Sequence, residues 1–410
     1  MAAAGPDGRI ESDVVIVGGG LVGLTLGVAL GSAGIETAVV DGTPAEAMKD
    51  AGFDGRVSSI ALGSMRVLAG IGLWPALAGE AQPILEIRVS DRDAPLFLHY
   101  DHKDMGADPL GFIVENRAIR AALFARAAAL PALRHVAPAS VEALEPGAGA
   151  IEARLADGRC VRARLAVAAD GANSRLRAAA GIEAVRWSYE QAGIVCTVAH
   201  ERPHRGIAHE RFLPAGPFAI LPMTGNRSSL VWTERAALAP ALMEAPPAVF
   251  ARELGARFGD FLGALEPTGP RWSYPLRLTH AKRYTAPRLA LAGDAAHAIH
   301  PLAGQGFNLG IRDAAVLAEL VVDRARLGLD IGESDVLTHY QRRRRFDSVV
   351  LIGVTDGLNR LFSNRSQGLR LIRDAGLAAV NEMPPLKRFF MRHAMGLAGD
   401  LPRLARGKPL

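Results

Sequence analysis

Residues 13–41 read DVVIVGGGLVGLTLGVALGSAGIETAVVD, and the order of residue types in them names a class of fold. Asp13–Val17 reads as an apolar strand, as expected of a parallel strand buried on both faces. Gly18-Gly19-Gly20-Leu21-Val22-Gly23 then turns the chain into an uncharged segment of helical length that ends near Ser32. In such a unit Gly18 permits the tight turn, Gly20 lets the backbone approach a pyrophosphate, and Gly23 lets the helix pack closely on the strand. A second strand, Glu36–Val40, ends at Asp41, roughly the 20 residues on at which a carboxylate meets an adenosine ribose hydroxyl. Val14–Ile35 carries no charge over about the length of a membrane span, but its glycines and its strand, turn and helix pattern favour a dinucleotide-binding unit.

A second stretch, Leu289–Asp313, reads LALAGDAAHAIHPLAGQGFNLGIRD. Leu289–Ala292 is a buried-strand pattern, Gly293 lets the chain turn, and Asp294 stands at the strand's carboxyl end, where α/β folds hold ligands. Its carboxylate can accept hydrogen bonds from sugar-like hydroxyls. Gly304-Gln305-Gly306 opens a helical pattern, Phe307 to Leu320, so free N–H groups and the positive helix end face whatever lies over the loop. A reduced flavin, negative near N1 and O2, suits that end.

The composition is that of a globular enzyme: 410 residues, 49% hydrophobic and 22% charged, enough for more than one domain around a sizeable core. No basic segment precedes an apolar core at the N-terminus, so no secretory signal is expected, and the reading is cytoplasmic, with possible peripheral attachment to the inner membrane. Cys160 and Cys196 form neither a disulfide framework nor a metal site. The net charge of +5 is local rather than a stripe interleaved with aromatics, which argues against nucleic acid. It gathers at Gln341–Arg345 and from Leu386 onward, as either a solvated helix face or a surface attracted to anionic lipid or an acidic partner.

Between the two stretches, Asp54, Arg56 and Ser58-Ser59 precede a helical pattern through Leu62, Met65 and Leu68, and Arg56 is a candidate phosphate or flavin contact. Ile84–Asp91 and Pro95–Tyr100 read as strands of another sheet, and Glu115-Asn116-Arg117 opens an Ala-rich helix to about Ala129. Ile151–Leu155 and Cys160–Ala169 form a hairpin about Asp157-Gly158, and the second strand runs into Asp170-Gly171-Ala172-Asn173-Ser174-Arg175. Short strands follow at Gly193–Ala199, Ile207–Leu213, Phe218–Pro222 and Ser228–Thr233, with one covering helix around Arg252. Such a sheet roofs a pocket, to which Trp187, Tyr189, Phe212, Phe218 and Trp232 offer aromatic surface, although packing within the sheet is the commoner fate of any one of them. Val336–Leu361 and Leu369–Leu397 are expected to be helical, the latter broken by Met383-Pro384-Pro385.

The fold expected is therefore α/β: a Rossmann-like nucleotide-binding domain of residues 10–83, 101–186 and 281–335, an inserted, mostly antiparallel β-sheet substrate domain of 84–100 and 187–280, and a C-terminal helical region, 336–410.

The three motifs Gly18–Gly23, Asp170–Arg175 and Gly293–Asp313 have the order and spacing of the single-component FAD aromatic hydroxylases, of which p-hydroxybenzoate hydroxylase is the familiar member. More narrowly, the chain resembles the ubiquinone-biosynthesis hydroxylases. That resemblance rests on Asp54-x-Arg56, Glu115-Asn116-Arg117, Trp187-x-Tyr189-x-Gln191, Glu210-Arg211-Phe212-Leu213-Pro214-x-Gly216-Pro217, Tyr274-Pro275-Leu276 and His300-Pro301-Leu302-Ala303-Gly304-Gln305-Gly306-x-Asn308-Leu309-Gly310-x-x-Asp313. One departure is Asp41, where the family more often has glutamate; either binds a ribose. The resemblance implies FAD as cofactor, NAD(P)H as reductant and O2 as cosubstrate, with a C4a-hydroperoxyflavin hydroxylating the ring of a polyprenylated phenol. It also implies that Asp294 binds the ribityl chain, that Asp170 belongs to a motif shared by FAD and NAD(P)H, and that Pro301 lies by the reactive flavin face. Gly18, Gly20, Gly23, Asp41, Arg56, Arg117, Gly304, Gln305, Gly306 and Asn308 complete the candidate cofactor set.

No catalytic base stands out. His297 and His300 sit in the flavin loop, more simply as structural hydrogen-bonding groups, and no cluster has metal-ligand spacing. A lipid-borne substrate gives the basic C-terminal region a role, docking on a membrane or in a quinone-synthesis complex. The alternatives are hydroxylation of a soluble aromatic or polyketide, an oxygen-independent flavin reductase of the same fold, and a non-catalytic scaffold that keeps FAD.

Overall fold

The computed structural model describes residues 9–49, 52–91, 97–299, 304–362 and 380–410. At its centre is a six-stranded sheet in the spatial order Thr285–Ala286, Leu289–Leu291, Leu165–Ala168, Val14–Val17, Thr37–Val40, Leu133–Val136. Every neighbouring pair is parallel except the first. Val14–Val17, Thr37–Val40 and Leu165–Ala168 are buried at every position, which is why these strands are apolar throughout except at Thr37, whose hydroxyl donates to Ile35 O. The helix Leu21–Ser32 packs beside Gln305–Arg326, and Val22 fills the notch left by two glycines: a Cβ on Gly310 would strike Val22, and one on Gly293 would press it at 3.2 Å.

The strand expected over Cys160–Ala169 is in fact two. Cys160–Ala163 pairs antiparallel with Ile151–Leu155, whereas Leu165–Ala168 joins the parallel sheet beside Val14–Val17. The switch falls at Arg164, whose N–H donates to Asp13 O at 2.9 Å and whose guanidinium donates to Leu329 O at 2.6 Å. Alternation in Cys-Val-Arg-Ala suits a half-covered sheet, and the unbroken Leu-Ala-Val-Ala suits burial on both faces.

An eight-stranded sheet follows the order His297–Ala298, Leu265–Ala281, Ala184–His200, Arg227–Arg235, Gly216–Met223, Ile207–Leu213, Glu86–Asp91, Phe97–Asp101. Its pairs are antiparallel except Ile207–Leu213 with Glu86–Asp91. Its spine is formed by Ala184–His200 and Leu265–Ala281, 17 residues each. Only part of the first, and none of the second, is legible in the chain. Pro267, Gly269, Pro270 and Pro275 disguise the second, and register shifts at Ser188/Ala192 and Val195/Thr197 accommodate the irregularity.

One face of this sheet is closed by the helix Pro247–Phe258, whose Phe250, Leu254 and Phe258 pack against Ile194, Phe218, Leu230 and Trp232. Phe218 and Trp232 are therefore core residues of that outer face rather than pocket aromatics. The opposite, inner face meets the nucleotide-binding part, where Trp272 Nε1 donates to Asp54 O at 2.5 Å, and the C-terminal region, where Phe212 stacks on Phe362 with centroids 4.0 Å apart.

The C-terminal region contains a long helix, Ser334–Phe362, and a shorter one, Pro384–Ala394, whose two prolines open it. Residues 369–379 of the second expected helix lie outside the described residues. The chain after it is integral to the core: Gly63 N–H donates to Met395 O at 2.9 Å, Arg312 donates to Gly396 O at 2.7 Å, and Leu404 and Ala405 are buried. No helix among the described residues is long and apolar enough to cross a membrane.

Candidate active site

Three loops leave the carboxyl ends of three adjacent parallel strands: Gly18–Gly20 after Val14–Val17, Asp170–Asn173 after Leu165–Ala168, and Gly293–Ala295 after Leu289–Leu291. Their glycines divide into two kinds. Gly18, with φ +111°, and Gly23 are demanded by the protein itself, since a Cβ on Gly18 would strike Ala169 O and one on Gly23 would strike Gly18 O. Gly20 and Gly306 have no protein atom within 4 Å of a Cβ position. Their bareness leaves room for a ligand against two helix N-termini, where N–H groups and helix dipoles favour phosphate or an anionic ring.

Asp41 is held at the rim of the first loop. Its Oδ2 accepts from Gly19 N–H at 2.6 Å and its Oδ1 from Thr43 N–H at 2.7 Å, so a carboxylate 22 residues from the turn is aimed beside it. Asp170 Oδ2 accepts from Leu176 N–H at 3.3 Å, while its Oδ1 is buried without a hydrogen-bond partner. Such an orphaned acceptor calls for a donor from outside the protein. Asp294 sits in a one-turn 3-10 segment, Gly293–Ala295, exposed to the cleft, with no hydrogen bond to its carboxylate among the described residues. Crowding by the surrounding protein pushes its carboxyl above the usual range, His297 opposes this, and Asp313 adds to it. Unpaired acceptors at two strand ends and two open glycines fit a flavin dinucleotide, with hydroxyls for Asp294 and Asp41 and a pyrophosphate for the Gly18–Gly20 turn.

Arg56 and Arg117, 61 positions apart, meet because Val57 pairs with Glu115 across antiparallel strands and Asn116 N–H donates to Arg56 O at 3.0 Å. Each is already paired, Arg56 to Asp54 at 2.7 Å and Arg117 to Glu115 at 2.6 Å. Their exposed guanidiniums lie over Trp272 and Phe53, at 5.5 and 5.6 Å from the ring centroids. Asn308 staples the strand Val57–Ala61 to the helix start: its Oδ1 accepts from Ala61 N–H at 2.9 Å and its Nδ2 donates to Ser59 O at 2.8 Å. Gly304 precedes that helix in the left-handed region, φ +61°. Pro301 and His300 lie outside the described residues.

His297 is buried beside Asp313 in a cluster of charged groups. Its Nε2 lies 2.7 Å from Asp313 Oδ2, which also accepts from Gly293 N–H at 2.9 Å, and Asp313 Oδ1 accepts from Arg344 at 2.7 Å. The side chains of His297, Asp313 and Arg344 are fully buried. Burial alone would raise the Asp313 carboxyl, but His297 and then Arg344 hold it below the usual carboxylate range.

One residue, Arg177, went unnoticed in the chain, and another, Glu210, stood in a family motif without a role assigned to it. Arg177 is 1% exposed, donating to Ala172 O at 2.9 Å and to Ala295 O at 2.7 Å, so it ties the Asp170 loop to the Asp294 turn. Burial lowers its pKa. The only hint was a second arginine two positions beyond the Asp170–Arg175 motif. Glu210, on the inner face of the large sheet between Ala208 and Phe212, is buried and has its carboxyl raised to about 8 by burial. Among the described residues one carboxylate and imidazole cluster, Glu86, His99 and Asp101, has ligand atoms within 4.8 Å, and Glu86 there is already paired with Arg88 at 2.8 Å.

An FAD binding domain family model matches residues 11–346. The ubiquinone hydroxylase UbiL of Rhodospirillum rubrum is 54% identical over 97% of this chain and 94% of its own. The 3-demethoxyubiquinol 3-hydroxylase of Escherichia coli is 34% identical over 94% of this chain and 99% of its own. The fold is that of p-nitrophenol 4-monooxygenase from Pseudomonas putida, with a TM-score of 0.79, 20% identity, and coverage of 95% of this chain and 99% of that one. With both strand-end carboxylates, the bare glycines and the match over almost its whole length, the chain belongs to the ubiquinone-biosynthesis hydroxylase family of FAD-dependent monooxygenases.

Proposed function

We propose that this protein hydroxylates the aromatic ring of a polyprenylated phenol on the route to ubiquinone, with NAD(P)H as reductant and O2 as the source of the inserted oxygen. The observation that carries the reading is a joint. Leu289–Leu291 belongs to the parallel sheet and His297–Ala298 to the edge of the large sheet, so Asp294 lies in the few residues that connect the nucleotide fold to its roof. FAD, when bound, supplies the redox chemistry: two electrons from the nicotinamide reduce O2, one oxygen atom entering the ring and the other leaving as water. Asp294 and Asp41 anchor hydroxyls, the helix end at Gly304–Gly306 favours negative charge beside it, and the inner face of the large sheet excludes water from the ring.

The test uses the FAD-loaded protein, NADH or NADPH, and 2-geranylphenol under isotopically heavy oxygen. One labelled oxygen should enter the ring, with no turnover under argon. Turnover without oxygen would sink this reading in favour of a reductase, and hydroxylation confined to tail-free soluble phenols would move the substrate class.

The same reading places the protein at a membrane surface. Arg345, Arg388 and Arg392 are exposed, with no ion pair among the described residues. By contrast Lys387 pairs with Asp104 at 2.8 Å and Arg403 with Asp323 at 2.5 Å. Because the segment after Leu386 packs into the core, point changes test docking better than truncation. The double variant Arg388→Glu, Arg392→Glu should bind anionic vesicles at least tenfold more weakly, at about 1 kcal/mol per lost cation, with FAD content unchanged. Equal binding by both proteins would exclude this surface.

A further inference from the structure

A cavity of about 440 Å³ lies between the helices Ser334–Phe362 and Pro384–Ala394 and the start of Gln305–Arg326, a size usual for small-molecule sites. Its inner wall includes Gln305 and Asn308, the first turn of the helix that leaves the flavin loop. Its outer wall is Phe346, Val350, Val354 and Phe389. These four are exposed, Phe346 to 72%, and the first three recur every fourth residue along one face of the long helix. An apolar face of this kind marks an interaction site. The two ionised residues in the wall, Arg312 and Asp347, pair with each other at 3.1 Å, so an apolar occupant strands no charge.

We infer that this groove holds the isoprenoid tail of the phenolic substrate, with the ring directed toward the Gln305 end; the inference rests on the prenylated-phenol reading. Three features select this occupant. The groove joins the flavin helix to the surface, as a site must if it holds a chain whose head reacts inside and whose end remains in lipid. The mouth is lined by Phe346, Val350, Leu351, Val354, Phe389 and Phe390, matching a hydrocarbon. The exposed cations Arg345, Arg388 and Arg392 lie on the same two helices as the apolar mouth, a combination that suits a bilayer with anionic headgroups.

The experiment compares kcat/KM for 2-farnesylphenol and 2-methylphenol, both in the same detergent, on the full-length FAD-loaded protein and on Val354→Trp and Val350→Trp. Both positions are more than 40% exposed, so the larger ring fills the groove without overpacking the core. Two buried methylenes are worth about tenfold in affinity, so the native protein should prefer the farnesyl compound by about 100-fold or more. Each tryptophan variant should cut that ratio at least about tenfold, chiefly through KM, with FAD content and melting temperature near native. A ratio unchanged in both variants overturns the groove as the tail site, as does a native protein without tail preference. A variant that changes the oligomeric state but not the ratio assigns this face to a second copy of the chain, which also overturns it. If 2-farnesylphenol is not hydroxylated at all, the prenylated-phenol reading fails and the groove assignment falls with it; if it is hydroxylated with an insensitive ratio, only the groove assignment fails.

Discussion

Replacing Asp313 by Asn is expected to lower the stability of the protein by about 3–5 kcal/mol, the usual cost of leaving one member of a buried ion pair without its partner. Arg344 is fully buried and its Nε donates to Asp313 at 2.7 Å; in the variant its charge would keep only Asp347, at 2.8 Å. The same carboxylate holds Gly293 N–H and His297, the residues on either side of Asp294, so the loss should reach the cofactor. A charge-assisted hydrogen bond of about 1.5–3 kcal/mol corresponds to roughly ten- to hundredfold in FAD affinity. The double replacement Asp313→Leu, Arg344→Met separates the two effects: removing both charges should recover much of the stability, but not the flavin affinity, because Gly293 N–H still lacks its acceptor. Denaturation midpoints and the dissociation constant for FAD read these separately. If the double variant binds FAD as the native protein does, Asp313 does not orient the Asp294 turn. The pH dependence has a definite sign. A carboxyl lowered in the folded state contributes its stability above the unfolded value, near 3.8, and loses it as pH falls through the folded one. The native protein should therefore weaken on acidification below about pH 4, and Asp313→Asn should lack that component.

The parts of this site legible in the chain are those whose constraint is local. Gly18 and Gly23 have no alternative because backbone stands where a Cβ would go, and Asp41 and Asp294 are marked by ending apolar strands. What escaped depends on which elements meet. The run Gln341–Arg345 reads as either a solvated helix face or a surface for anionic lipid or an acidic partner, yet Arg344 is buried against Asp313, 31 residues away, and Arg343 pairs with Glu319 at 2.9 Å; only Arg342 and Arg345 are exposed. Alternation along the sheet strands likewise shows that two faces exist without showing which one meets the nucleotide-binding part. Phe218 and Trp232 went to the outer core, and Trp272, on a strand disguised by prolines, went to the inner face beside Asp54 and Arg56. Arg177 has no acidic neighbour in the sequence to suggest burial, and its partners are carbonyls, which leave no trace in residue type.

Glu210 gives the second large effect, opposite in sign to that of Asp313. Its carboxyl sits on the inner face of the large sheet, buried between the apolar neighbours Ala208 and Phe212, and burial alone carries it from 4.5 to about 8. A group raised on folding contributes stability that is fully present below the unfolded value and drains away as pH climbs through the folded one. Between about pH 4.5 and 8 the native protein should therefore lose up to about 1.4 kcal/mol per pH unit from this residue, a ceiling near 5 kcal/mol. Glu210→Gln keeps the shape and cannot ionise. Denaturation midpoints followed from pH 5 to pH 9 should show the native protein steadily weakening relative to the variant, with the widest gap at the alkaline end. Parallel curves would mean that the carboxylate finds a donor or water in solution and ionises at ordinary pH. The slope also bears on chemistry, because a carboxyl that stays protonated at neutral pH can donate a hydrogen bond, whereas an ionised one can only accept.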